Sequence, residues 1–184
     1  MNTGTSNAHC GACGNACAEG QVCSAGACQD QDSAGTCSVV RSGGSGDEPN
    51  GQIAVCCSPD ATQRPHIDEA FQLLNEYRIA NGLSALAVDA ELGAAIQGHC
   101  RHMVEHDFFA HDAPEAIVSS PWDRAELCGT SANGENIAYN YRSAEQVMNG
   151  WINSPGHNSN MLNGSWRRVG IGMHAWYWGQ LFGR

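Results

Sequence analysis

A chain of 184 residues has room for one domain of ordinary size and a small appendage. Its formal charge of −10, from nine basic against nineteen acidic residues, repels nucleic-acid phosphates and anionic headgroups, so no nucleic-acid partner is expected. It holds no apolar run of about 18 residues, which predicts no membrane span, and its ten cysteines point to an oxidising compartment.

The first 30 residues read as a cysteine-rich module. Cys10, Cys13, Cys17, Cys23 and Cys28 fall within nineteen residues that carry four glycines and almost no large apolar side chains. Such a segment has too little to bury, so disulfides must do what a core does elsewhere. Zinc is the alternative that Cys10-x-x-Cys13 permits, but the second pair, Cys23 and Cys28, is spaced by four residues and a fifth cysteine is left over. The string from His9 to Cys17, with Gly20-Gln21-Val22-Cys23 and Gly26-Ala27-Cys28, resembles short cysteine-rich modules of exported myxobacterial proteins. Met1 to Gln29 lacks the positive and apolar regions of a signal peptide, which is expected of a mature or truncated fragment of a secreted protein.

Residues 31–64 read as a cysteine-containing loop region and linker. Adjacent Cys56 and Cys57 are too close to bond each other without strain, so each is expected to find its own partner, with Cys37 a candidate for one. Arg41 to Gln52 is rich in Gly, Ser, Asp and Asn and reads as a loop, and Ser58 to Pro65 as the linker.

From residue 65 onward the pattern becomes periodic. Ala70, Phe71, Leu74 and Tyr77 recur at helical spacing up to Ala80, and Asn81-Gly82 supplies a stop. A second helix is predicted from the N-cap Asp89 to about Asp107, with Leu92, Ala95, Ile96, His99, Met103 and Val104 facing inward. A third is predicted over Ala144 to Asn153, opened by Ser143 and Gln146 and closed by Pro155-Gly156. Val169 to Met173 and Ala175 to Phe182 read as two strands. Helices and strands so mixed predict an α+β sandwich.

Three motifs carry polar side chains in apolar or glycine-containing contexts: Phe108-Phe109-Ala110-His111, Gly134-Glu135-Asn136-Ile137-Ala138, and Trp151 to Leu162 with its Ser154-Pro155-Gly156-His157. With Leu74-Asn75-Glu76-Tyr77-Arg78, Asn81-Gly82-Leu83, Val169-Gly170-Ile171-Gly172 and Gly179 to Gly183, they occur in the order of the CAP superfamily, which the chain resembles in its bacterial, SCP-domain form. That family comprises cysteine-rich secretory proteins, antigen 5 and pathogenesis-related class 1 proteins. The resemblance implies a three-layer α-β-α sandwich with a central antiparallel sheet over residues 65–184. It also implies a cleft in which His111, Glu135 and His157 match the family's two histidines and glutamate. Asn136, Ser154 and Asn160 shape the site, and Ser154 stands where eukaryotic members carry a second glutamate. Cys100 and Cys128, the two cysteines within this region, are a candidate disulfide, with two separate buried thiols as the alternative.

Two imidazoles and a carboxylate suit Zn²⁺ or another divalent metal with a position open to water. Glu135 serves equally as a structural partner that fixes one imidazole. His99, His102 and His106 share one helical face, but only Glu105 and Asp107 lie near it in sequence and both point outward. His99 therefore reads as a core histidine and the other two as surface or cleft rim. Gly129 to Gly134 is one residue too long for a nucleophile elbow, and Ser154 reads as a helix cap.

The resemblance implies a secreted, non-enzymatic binding module for a lipid or sterol, another small hydrophobic ligand, or a cell-surface or protein partner. Tyr139, Tyr141, Trp176, Tyr177 and Trp178 are candidates for lining such a surface. The alternative is a zinc-dependent hydrolase or peptidase with His111 and His157 as ligands and Glu135 as catalytic base. Glu135 cannot easily be both ligand and base, and Ser154 removes the other candidate, which favours binding.

Overall fold

The computed structural model of the chain describes residues 21–24, 27–30, 35–41 and 52–184. They divide into two units, Met1–Gly35 and Thr36–Arg184. In the first, strands β1 (Gln21–Ser24) and β2 (Ala27–Asp30) pair antiparallel with Cys23 opposite Cys28. The disulfides expected among Cys10, Cys13, Cys17, Cys23 and Cys28 lie outside the described residues.

The second unit is built on a four-stranded sheet in the order β5-β7-β8-β6. Its strands are β5 (Ala87–Val88), β6 (Gly134–Tyr139), β7 (Arg168–His174) and β8 (Tyr177–Gly183). All pairings are antiparallel except that of the two-residue β5 with β7. Helices α1 (Arg64–Ala80), α4 (Ala144–Ile152) and α5 (Pro155–Met161) cover one face, and α2 (Ala90–Glu105) and α3 (Pro121–Leu127) the other, so the α+β chain forms the expected three-layer α-β-α sandwich.

Strand alternation explains how one sheet serves two unlike layers. Val169, Ile171 and Met173 of β7 join Trp178 and Phe182 of β8 beneath α1 and α4, where Leu74, Val147, Met148 and Trp151 complete a core of large side chains. Between them, Gly170, Gly172 and Gly179 point toward α2. A Cβ on Gly172 would lie 2.6 Å from the Gln97 nitrogen, and one on Gly170 would fall on the Leu92–Gly93 backbone. Helix α2 thus rests directly on the sheet backbone, which only glycine permits.

The outer face of α2 is covered as well. Strands β3 (Ser38–Arg41) and β4 (Gln52–Val55) form an antiparallel hairpin whose Ile53 and Val55 pack with Ala113 and Val118. The hairpin comes so close that a Cβ on Gly98 would lie 3.1 Å from the Val55 Cα. The described residues 36–41 and 52–64 therefore belong to the second unit, whereas the sequence reads 31–64 as loop and linker. Burial on both sides also explains why α2 encloses Gln97, His99 and His102, polar residues that a one-sided helix would place outside.

The cysteine pairing departs from expectation at one point and meets it at another. Cys56 and Cys57 do find separate partners: Cys37 bonds Cys57, and Cys56 bonds Cys128. The expected Cys100–Cys128 bridge does not form, and Cys100 is a buried free thiol. Helix α2 turns Cys100 toward the sheet, with Sγ 3.6 Å from the Gly172 carbonyl oxygen, while Cys128 caps α3 beside the hairpin. Cys56 lies just past the end of β4 with a left-handed φ of 48°, and this turn sends it and Cys57 to partners on different segments.

The predicted N-caps are present, with Asp89 accepting from the Leu92 amide and Ser143 from the Gln146 amide. Four elements of the sandwich add to those expected: β5, α3, β6 and α5. Helix α5 is rich in Asn, Ser and Gly, which favour caps and turns over helix interiors. It is held instead from outside: Arg78 of α1, 1 % exposed, donates to the carbonyls of Ser84, Met161 and Asn163, and the Tyr77 hydroxyl bonds Asn158 Oδ1 at 3.0 Å.

Candidate functional site: a cleft at the free edge of the sheet

Strand β6 is an edge strand; His111 bonds its Glu135, and the backbone carbonyl of His157 accepts from its Asn136. Glu135 lies on β6 itself, His111 on the loop between α2 and α3, and His157 on α5. His111 Nδ1 lies 2.8 Å from Glu135 Oε1, so the expected imidazole–glutamate bond is present. That hydrogen bond pushes the His111 pKa upward against partial burial. His157 shifts the other way, lowered by burial and by the neighbouring His111.

The second oxygen of Glu135 is taken by a residue that sequence reasoning missed. Arg124 of α3 donates from Nη2 to Glu135 Oε2 at 2.8 Å and to the His111 carbonyl at 3.0 Å, and from Nη1 to the carbonyls of Val118 and Ser119. Both charged side chains are almost wholly enclosed, at 3 % and 2 % exposure, while His111 is half exposed. The one local signal was the capping box in which Ser120 accepts from the Asp123 amide and Asp123 accepts from the Ser120 amide, which marks the start of α3. Nothing at that spacing reveals that Arg124 crosses to a carboxylate eleven residues on.

Two asparagines of the motifs hold the other wall. Asn136 Nδ2 donates to the His157 carbonyl and to Gln180 Oε1, while Asn160 Nδ2 donates to the Glu135 carbonyl and to Asn136 Oδ1. The outward carbonyl of Ile137 accepts from Trp151 Nε1 at 3.4 Å. The edge strand thus has its exposed carbonyls capped by α4 and α5, which protects it from pairing with another strand. Ser154 sits at the N-cap of α5, but its hydroxyl makes no capping bond.

Of the aromatic candidates, Tyr139 and Tyr177 lie opposite each other on the α2 face of β6 and β8 and join exposed Phe109, with ring centroids 5.0 to 6.1 Å apart. Trp178 is fully buried and its indole nitrogen donates to the Tyr141 carbonyl, so it belongs to the core. Trp176 lies under the Arg142 guanidinium.

At the cleft, Glu135 is bonded to Arg124 through one oxygen and to His111 through the other. Among the described residues, the one group of three ligand atoms within 4.8 Å of one another is His102, His106 and Glu115, outside the cleft. This also corrects the reading of that helix face. His99 is a core histidine, with Nε2 2.9 Å from the Ala110 carbonyl, but His102 is buried too, and the carboxylate beside it arrives from the loop after α2.

A family model described as the cysteine-rich secretory protein family, CAP, matches residues 71–176. YkwD of Bacillus subtilis (strain 168) is 33% identical over 106 residues, covering 56% of this chain and 40% of that protein. The membrane protein YlbC of the same organism is 33% identical over 116 residues, covering 62% and 33%. The chain therefore spans well under half the length of these relatives. Among solved structures, an extracellular SCP-domain protein of Bacillus anthracis str. Ames is 29% identical with a TM-score of 0.63, covering 66% of this chain and 41% of that one. An outer surface protein of Borrelia burgdorferi shares the fold at 20% identity and a TM-score of 0.58, covering 66% and 93%. No described helix is long and apolar enough to cross a membrane. The family match, the order of its motifs along the chain and the sandwich that carries them agree: this chain belongs to the CAP family.

Proposed function

We propose that the chain is a secreted, non-enzymatic binding module that takes a small hydrophobic ligand at the edge of the β6 cleft. The observation that carries this reading is the state of Glu135. A general base needs a carboxylate oxygen free to receive a proton, and a zinc ligand needs a free lone pair facing the ion. Glu135 is 2 % exposed and is held from both sides, by Arg124 at one oxygen and His111 at the other, so it fixes the cleft wall and orients the imidazole rather than standing free toward a substrate or ion.

Next to that wall, Phe109, Tyr139 and Tyr177 offer an apolar shelf with phenolic edges. Phe109 and Tyr139 are 44% and 54% exposed, more surface than aromatic side chains usually leave in water without a partner. His111, exposed at the rim, adds a polar group for a ligand headgroup. Export is supported by the two disulfides among the described residues and by the extracellular setting of the Bacillus anthracis protein.

Titration of the purified chain with a fluorescent fatty acid and a fluorescent sterol tests the proposal. Saturable binding of one of them, weakened by Tyr139→Ala and by Phe109→Ala, is the expected result. Chelator-sensitive hydrolysis of a peptide or ester substrate that disappears in Glu135→Gln would establish the hydrolase in its place.

A further inference from the structure

We infer that His102, His106 and Glu115 form a binding site for a single Zn²⁺ ion, separate from the β6 cleft, that fastens the loop after α2 to the helix. His102 and His106 are four residues apart on α2 and project from one face, with ring centroids 4.5 Å apart. Glu115 approaches from the far end of the loop, placing Oε2 3.1 Å from His102 Nε2 and Oε1 3.8 Å from His106 Nδ1. Ligand atoms about 2.0 Å from a tetrahedral zinc are separated by about 3.3 Å, so these spacings bracket what the ion requires.

A second observation points to an ion rather than to a hydrogen-bonded pair. His102 is 2% exposed, and its Nε2 and Glu115 Oε2 face each other at 3.1 Å, both buried and without hydrogen-bond geometry to each other or to any other group. Two such atoms side by side are costly unless something between them satisfies both. A divalent cation does so, since each atom offers it a lone pair. Phe108 packs 5.1 Å from the His102 ring and excludes water on that side, while His106 and Glu115 are partly exposed and leave an entry for the ion and a water ligand. Nearby charges do not compete: Glu105 is bonded to Arg101, and Arg124 is neutralised by Glu135. Two nitrogens and one carboxylate oxygen suit zinc better than the hard cations, which take oxygen ligands.

The loop tied down in this way carries Phe109 and His111. Its far end is held by Arg124 through the carbonyls of His111, Val118 and Ser119. Zinc at Glu115 adds a further anchor, to α2.

Zinc chloride titrated calorimetrically into the full, oxidised chain after chelator dialysis tests the site. One equivalent is expected to bind, with affinity lowered about tenfold or more by Glu115→Gln and by His106→Ala. The double change His111→Ala, His157→Ala should leave that affinity within about twofold. Both single changes fall at partly exposed positions, and unchanged far-UV circular dichroism of the metal-free variants establishes that they fold. As a second measurement, Co²⁺ should give the intense visible bands of a four-coordinate site in the native chain and lose them in Glu115→Gln. No zinc uptake by the native chain, uptake unaffected in both single variants, or uptake lost in the cleft double variant would each overturn the assignment. Because the cleft variant is scored separately from ligand binding at Tyr139, failure here leaves the proposed binding function standing.

Discussion

Replacing Arg124 with methionine keeps the aliphatic stem and removes the guanidinium that donates four hydrogen bonds of 2.8 to 3.0 Å. Glu135, 2 % exposed, is then left with His111 as its only side-chain partner, and three backbone carbonyls lose their donor. Breaking a buried ion pair from one side costs about 3–5 kcal/mol, because the surviving charge has lost its compensation. We expect about 4 kcal/mol here. Glu135→Gln is milder, about 1–2 kcal/mol, since the amide oxygen still accepts from Arg124. In the double variant no charge is stranded, so the combined loss should fall about 2 kcal/mol short of the sum, within the range of coupling between contacting residues. Urea unfolding followed by tryptophan fluorescence measures all four corners of the cycle. An NMR titration of His111 adds a readout at the site: its raised pKa should fall toward the ordinary histidine value in Glu135→Gln, because the Glu135 hydrogen bond is the main cause of the rise. Additive losses within about 0.5 kcal/mol, or an unmoved His111 titration, would refute the view that Arg124, Glu135 and His111 act as one unit.

Gly172→Ala should destabilise by about 3 kcal/mol, at the upper end for overpacking, since its methyl lies 2.6 Å from the Gln97 nitrogen and α2 must retreat by about 0.8 Å. Gly156→Ala in α5, with nothing within 4 Å of the new methyl, should be neutral or stabilising by up to about 1 kcal/mol, and equal denaturation midpoints for the two would contradict the packing argument. Loss of the Cys56–Cys128 bridge by Cys56→Ser, Cys128→Ser opens a loop of 72 residues and should cost about 4 kcal/mol on the chain-entropy account, read as a lower urea midpoint. Burial, with Arg124, His102 and His111 nearby, holds His99 neutral in the folded state by lowering its pKa to about 2. The unfolded chain takes up that proton below about pH 6.5, so stability should fall with decreasing pH by about 1.4 kcal/mol per unit from this group alone. His111, raised instead, contributes stability below about 6.5 that is lost as pH rises through its folded value, a smaller and opposite effect. His99→Gln should flatten the slope of unfolding free energy between pH 6 and 4, and an unchanged slope would argue against a neutral His99.

What the chain determines by itself is what is local. The spacing of Phe71, Leu74 and Tyr77, the caps at Asp89 and Ser143, and the alternation in Val169-Gly170-Ile171-Gly172-Met173 are each complete within one element, so α1, α2, α4, β7 and β8 can be read from neighbours in sequence. His111, Glu135 and His157 were singled out differently, through the resemblance of the short motifs that carry them to those of the CAP family. Strand β6 has no clean apolar alternation, since Glu135 faces the cleft and Asn136 is buried in a polar network, and α5 has the composition of a turn. Their conformations are settled by partners on other elements: Gln180, Trp151, Arg78 and Tyr77. The same holds for Arg124 with Glu135, for Glu115 with His102, and for Cys128 with Cys56 in place of Cys100. Each of these pairings depends on where a loop or hairpin lands after the helices have docked. Docking distances of a few ångströms between residues 11 to 85 positions apart are a property of the packed layers, and no periodicity within one segment carries them.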